Sequence, residues 1–145
     1  SKAVQFWQDN GDDLAVAVID IDHFKSINDR FGHAAGDKTL QVVGKNLKQQ
    51  LTENTFMARW GGEEFVLLLP GMNKQKVISL LETMRTKLAS LPFKFKQEKV
   101  TITASFGASF FNKGDTPGAV FERADNLLYQ AKNSGRNRVI TDRDE

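Results

Sequence analysis

The chain has 145 residues, 40% of them hydrophobic and 26% charged, with a net charge of +2, three prolines and no cysteine. That length suits one domain around one core, and the composition is globular rather than disordered or fibrous. Without cysteine there is no disulfide framework, thiolate metal site or thiol nucleophile, and the small, scattered charge excludes a dedicated nucleic-acid surface.

"DLAVAVIDID" (13–22) begins with a continuous apolar run and ends on Asp20 and Asp22, which predicts a buried strand delivering acids at its C-terminal end. Phe24, Ile27 and Phe31 then recur at helical spacing, closed by Gly32, and a second helix follows "AAGD" (34–37) with Leu40, Val43, Leu47 and Leu51 on one face. "TFMARW" (55–60) and "FVLLLP" (65–70) predict two strands joined by a two-residue hairpin at Gly61-Gly62, since glycine tolerates positive φ. Val77, Leu81, Met84, Leu88 and Leu91 mark a third helix. Residues 100–110 alternate, with Val100, Ile102, Ala104, Phe106, Ala108 and Phe110 on one side, predicting one half-buried strand paired with "FKF" (93–95). Thr116 as N-cap, Pro117 at the first helical position and Gly135 past the end bound a fourth helix, with Val120, Ala124, Leu127 and Ala131 as its buried stripe. "NRVIT" (137–141) reads as a last short strand.

The order β-α-α-β-β-α-β-β-α-β predicts a single α+β domain over residues 1–145, with a mainly antiparallel central sheet flanked by helices. No apolar run is long enough to span a bilayer, and the N-terminus lacks a signal-peptide pattern, so a cytoplasmic location is expected. Trp60 and the phenylalanines are read as core, and His33 as a structural partner beside a turn.

Asp20, Asp22, Glu63 and Glu64 sit at the edges of apolar strands, and neighbouring strand ends can bring them together. Carboxylates without His or Cys suit a hard cation such as Mg²⁺. Singly, each is as well read as a solvated turn acid; Gly-Gly directly before the glutamates favours a ligand approaching the backbone. "HFKSIN" (23–28) opens a helix whose free N–H groups favour phosphate. Lys132 and Arg136 add cations across a helix end, where interaction with the helix dipole is the competing explanation.

"DIDHFKSINDRFGHAAGD", "RWGGEEF", "TASFGAS" and "RADNLLYQAKNSGRN", in this order and spacing from about residue 13 to residue 140, together resemble the GGDEF domain of diguanylate cyclases, in its GGEEF variant. The resemblance implies a fold similar to the palm of nucleotidyl cyclases and polymerases. It also implies a GTP-dependent nucleotidyltransferase that condenses two GTP into cyclic dimeric GMP and two pyrophosphates, with two Mg²⁺ (or Mn²⁺) per active site. Asp20, Glu63, Glu64 and the main-chain carbonyl of Ile21 then match the metal ligands. Glu63 matches the group that deprotonates the attacking 3′-hydroxyl, and Asp22 shapes the loop. Asn28 and Asp37 match guanine-recognising residues, with Leu40 on the pocket wall. Phe24 and Lys25 belong to the phosphate-holding loop, Gly61 and Gly62 to the turn beside the nucleotide, and Lys132 and Arg136 to the side chains that reach the triphosphate.

A carboxylate at Asp37 can accept from both N1–H and the N2 amino group of guanine, whereas adenine offers an acceptor at N1. Each such domain binds one GTP, so the resemblance implies a homodimer for catalysis, without nucleic acid or membrane in this segment. A sensory or receiver domain is expected upstream, the chain being the excised catalytic domain of a longer protein, including as the cytoplasmic part of a membrane-anchored sensor. Thr52 and Thr55 stand where many members carry an Arg-x-x-Asp product-inhibition site. The alternative is a catalytically silent GTP-binding regulatory GGDEF module; a polymerase palm or adenylyl cyclase leaves Asn28 with Asp37 unexplained.

Overall fold

A computed structural model of the chain describes residues 13–142. In chain order the elements are β1 (Leu14–Ile21), α1 (Phe24–Phe31), α2 (His33–Gln49), β2 (Phe56–Trp60), β3 (Glu64–Pro70), α3 (Lys74–Ala89), β4 (Phe93–Phe95), β5 (Glu98–Val100), β6 (Ala104–Phe110), α4 (Pro117–Asn133) and β7 (Val139–Thr141). Five strands form one sheet in the order β2-β3-β1-β6-β7. Its ladders are antiparallel except for the last, where β7 runs parallel to β6. This is the expected α+β arrangement.

β1 occupies the centre of the sheet, and all eight of its residues are buried. Ala15, Ala17, Ile19 and Ile21 join Val43, Leu47, Val77, Leu81, Met84 and Leu88 in the larger core cluster. Leu14, Val16 and Val18 pack with Val120, Ala124 and Leu128 of α4 on the opposite face. A strand covered on both sides needs apolar residues at every position, which explains the unbroken run in the sequence. Each fully buried valine, leucine or isoleucine among them contributes about 1.5–3 kcal/mol of transfer free energy.

α4 sits unusually close to β6. A Cβ at Gly107 would lie 2.3 Å from the backbone nitrogen of Leu128 and 2.4 Å from the carbonyl oxygen of Ala124. Only glycine permits that approach of helix backbone to strand. The helix starts as its sequence predicts: Thr116 Oγ1 accepts from the Ala119 N–H (3.2 Å), and Pro117 follows at the first position.

Four expectations need correction. The stretch 100–110 is two strands: Lys96 and Gln97 both have positive φ (50° and 68°) and close a two-residue hairpin, so "FKF" pairs with β5 and not with β6. β6 itself is buried throughout, because α4 covers the face that the alternation assigned to solvent. α2 begins at His33, so "AAGD" lies inside it; Gly36 is needed there because a Cβ would fall 1.9 Å from Asn28 Oδ1. Trp60 and Phe56 are not core: they are 57% and 45% exposed on edge strand β2, with Trp60 resting against the ring of Phe121 at 5.7 Å.

Among the described residues no helix is long and apolar enough to cross a membrane. His33 is exposed at the start of α2. Thr55 Oγ1 donates to the Thr52 carbonyl (2.6 Å), so the two threonines close their own turn ahead of β2.

Candidate functional site

The β2–β3 connection is the feature that sets the site. Trp60 pairs with Glu64, so the loop holds three residues, Gly61, Gly62 and Glu63, not the predicted two. Gly61 has φ of 69°, which a side chain would strain. Glu63 therefore stands on the turn, whereas Glu64 is the first residue of β3.

β1 brings the third acid. Asp20 pairs directly with Glu64 in the β1–β3 ladder and with Ser105 in the β1–β6 ladder. Like charges opposite one another on neighbouring strands repel, so this placement needs compensation. Part of it comes from Lys132 in the last turn of α4, whose Nζ donates to Asp20 Oδ2. Asp20 is only 3% exposed, and its other oxygen, Oδ1, is buried without a hydrogen-bond donor.

Electrostatics follow from this crowding. Burial, a hydrogen bond to Asp20 and the Asp20 charge push Glu63 up to about 7, with Lys132 opposing and Glu64 adding to the rise. With Glu63 protonated its O–H can donate to Asp20; with both ionised, two carboxylates face each other. Glu64 is raised as well, by burial and by the charges of Asp20 and Asp125, against Lys132. Burial disfavours the Lys132 ammonium, but its hydrogen bond to Asp20 and the three acid charges outweigh that and hold it above the ordinary lysine range.

Asp22 does not join this cluster, although the sequence grouped it with the other acids. It is 6% exposed and accepts three hydrogen bonds: from Thr103 Oγ1 (2.6 Å), Ser105 Oγ (2.6 Å) and the Asn137 N–H (3.0 Å). A buried carboxylate so fully partnered has little capacity left for a ligand.

The remaining candidates lie on α1, α2 and the loop after α4. Asn28 on α1 packs its carboxamide over Gly36, the residue before the exposed Asp37, while Leu40 is buried one turn further along α2. α1 begins at Phe24 with no side chain capping its N-terminus, so the first-turn amides are not taken by a side-chain acceptor. Lys25 is exposed and paired with Asp29 at 3.0 Å. Ile21, the last residue of β1, donates its N–H to the Glu63 carbonyl at 3.4 Å. Arg136 is exposed, with φ of 62° in the loop joining α4 to β7.

Among the described residues no three His, Cys, Asp or Glu side chains converge as a self-sufficient metal cage. Mg²⁺ rarely uses one; it takes one or two carboxylates and completes its shell with phosphate oxygens and water. An oxygen-only donor set with a buried, donorless Asp20 Oδ1 fits that habit. Sequence reasoning missed Asp125, whose charge reaches Glu64. Its spacing of seven residues from Lys132 puts the two on one face of α4, a signal that was available.

Comparison with known proteins is consistent across sequence and structure. The family model described as "Diguanylate cyclase, GGDEF domain" matches residues 1–138. The chain is 50% identical over 130 residues to diguanylate cyclase DgcP of Pseudomonas aeruginosa; the match covers 90% of this chain but only 19% of that protein's length. The GGDEF domain of DgcB from Caulobacter crescentus, solved in complex with c-di-GMP, superposes with a TM-score of 0.93 at 36% identity, over 97% of this chain and 84% of that one. The active GGEEF domain of a diguanylate cyclase from Vibrio cholerae gives a TM-score of 0.91 at 34% identity, over 99% and 92%.

Proposed function

The chain belongs to the diguanylate cyclase GGDEF domain family, and on that premise we propose that it condenses two GTP into cyclic dimeric GMP, releasing two pyrophosphates. The observation that carries the reading is the cluster of Asp20, Glu63, Glu64 and Lys132 at one end of the central strands, with Asp20 Oδ1 buried and without a hydrogen-bond partner.

Asp20, Glu63, Glu64 and the Ile21 carbonyl are the groups that would hold Mg²⁺ or Mn²⁺, two per site. When bound, the cations supply activation of the 3′-oxygen and charge neutralisation at the leaving pyrophosphate. Phosphoryl transfer otherwise asks the protein mainly to position and to stabilise charge. Lys132 and Arg136 meet the triphosphate, with the first-turn amides of α1 at Phe24 and Lys25 beside it. Asp37 and Asn28 read the guanine edge, and Leu40 forms the wall behind the base. Gly61 and Gly62 leave the turn bare where the nucleotide approaches. Glu63 accepts the proton of the attacking 3′-hydroxyl.

Each copy binds one GTP, so the nucleophile comes from a second copy and the working form is a two-fold homodimer. The cytoplasm supplies GTP and Mg²⁺, and a sensory or receiver segment of a longer polypeptide provides the input.

Chromatographic product analysis tests this. Concentrated protein, and a version fused to a dimerising coiled coil, are incubated with GTP and Mg²⁺, with ATP as control. Cyclic dimeric GMP is expected from GTP alone. GTP binding without product from either form would overturn the cyclase in favour of the silent GTP-binding module.

A further inference from the structure

The three-donor carboxylate of Asp22 reaches further than the shape of its own loop. We propose that Asp22 is the positioning residue for the triphosphate: it holds the loop after α4, and with it the backbone that carries Arg136, in one conformation. This rests on the cyclase reading, from which the phosphate role of Arg136 comes.

Two successive residues in that loop, Arg136 (φ 62°) and Asn137 (φ 46°), adopt left-handed backbone, which residues with a Cβ rarely do in succession. Such a conformation persists only where its surroundings over-determine it. Here two amide bonds do so, one on either side of the Arg136 side chain. The Arg136 N–H donates to the Ala131 carbonyl at 2.9 Å, and the Asn137 N–H donates to Asp22 Oδ2 at 3.0 Å. Arg85 Nη1 adds a bond to Asn137 Oδ1 at 3.0 Å.

The Asp22 end of the clamp is itself fixed. Thr103 Oγ1 and Ser105 Oγ lock its carboxylate at 2.6 Å each, and its N–H donates to the Thr103 carbonyl at 2.9 Å. Asp20 lies near the end of β1 and Asp22 directly follows the strand, so the backbone that places the metal-ligand candidate also places the anchor of the arginine loop. The acid cluster and the arginine loop are thereby tied to each other through hydrogen bonds that no substrate supplies.

Equilibrium binding of GTP to the wild type, Asp22→Ala, Asp22→Asn, Arg136→Ala and the Asp22→Ala/Arg136→Ala double variant tests the inference. Asp22→Ala should weaken GTP roughly tenfold, the scale of one charge-assisted hydrogen bond, and Arg136→Ala similarly. The double variant should be within about twofold of either single one, because both remove the same interaction. Asp22→Asn should restore affinity to within about twofold of wild type: its Oδ1 can accept from Asn137, and its amide can donate to the Ser105 hydroxyl, which accepts as readily as it donates. Folded Asp22→Ala with wild-type affinity, or losses that multiply in the double variant, would overturn the proposal. If Asp22→Ala does not fold, Thr103→Val with Ser105→Ala frees the carboxylate instead. That pair should weaken GTP only while Arg136 is present, and unchanged affinity overturns the proposal. A wild type that fails to bind GTP would sink the cyclase reading itself and this inference with it, a result separate from any variant comparison.

Discussion

Lys132 and Asp20 form an ion pair between the last turn of α4 and the end of the central strand, with the lysine 32% exposed and the aspartate buried. Among the described residues its ammonium opposes the mutual repulsion of Asp20, Glu63 and Glu64.

Lys132→Met should therefore lower the unfolding free energy at pH 8 by about 1–3 kcal/mol, short of the ~3–5 kcal/mol for a fully buried pair. At pH 5 the loss should be smaller, because a protonated Glu63 can then donate to Asp20. Urea unfolding at the two pH values measures the difference, and equal losses would show that Glu63 and the ion pair are uncoupled.

The metal-free protein should lose stability as pH rises. Glu63 moves from 4.5 to about 7 on folding, so between those values the native state binds more protons than the unfolded one. This contribution is absent below about pH 4.5, grows unfavourable through the window and stops changing above about pH 7. Glu64 shifts in the same direction, so Glu63→Gln should reduce the slope without abolishing it. A pH series of unfolding curves on both proteins shows this; identical slopes would remove Glu63 as the source.

At the proposed guanine pocket, Asp37→Ala should leave the melting temperature within the small range of surface substitutions and weaken GTP roughly tenfold or more. Gly36→Ala should act through a neighbour: its Cβ would displace the Asn28 carboxamide while improving the propensity of α2 by up to ~1 kcal/mol. Weaker GTP binding with an undiminished melting temperature is the expected pair of readings, from titration and thermal unfolding.

Two glycines should separate folding from chemistry. Gly107→Ala drives a Cβ into the backbone of α4 and should cost about 1–3 kcal/mol or more. Gly62→Ala meets nothing within 4 Å and should melt like the wild type, yet synthesis of cyclic dimeric GMP should fall, since the proposed function gives that space to the nucleotide. A stable, fully active Gly62→Ala would place the nucleotide elsewhere.

Much of this was legible in the sequence because the signals were local. The β1 run, the Thr116-Pro117 start of α4 and the helical stripes each specify an element without reference to the rest. The pairing of Asp20 with Glu64 was foreseeable once two strand ends both carried acids. Most of the misses depend on contacts distant in sequence. Alternation across β6 predicts a solvent face, but only the seat at Gly107 reveals that α4 covers it. Thr103, Ser105 and Asn137 look unremarkable in the chain, and their meeting at Asp22 is a product of strand register. The hairpin at Lys96-Gln97 was hidden because neither residue is glycine.

The glycine seat on β6 has a mechanical corollary. At Gly107 helix backbone rests on strand backbone, with Val16, Val18 and Leu128 packed around that seat, so α4 has little room to slide and Lys132 keeps its height above Asp20. In the proposed homodimer a regulatory input would then act on the approach and alignment of two copies, as a brake or clutch between finished halves, and not by retuning the spacing inside either.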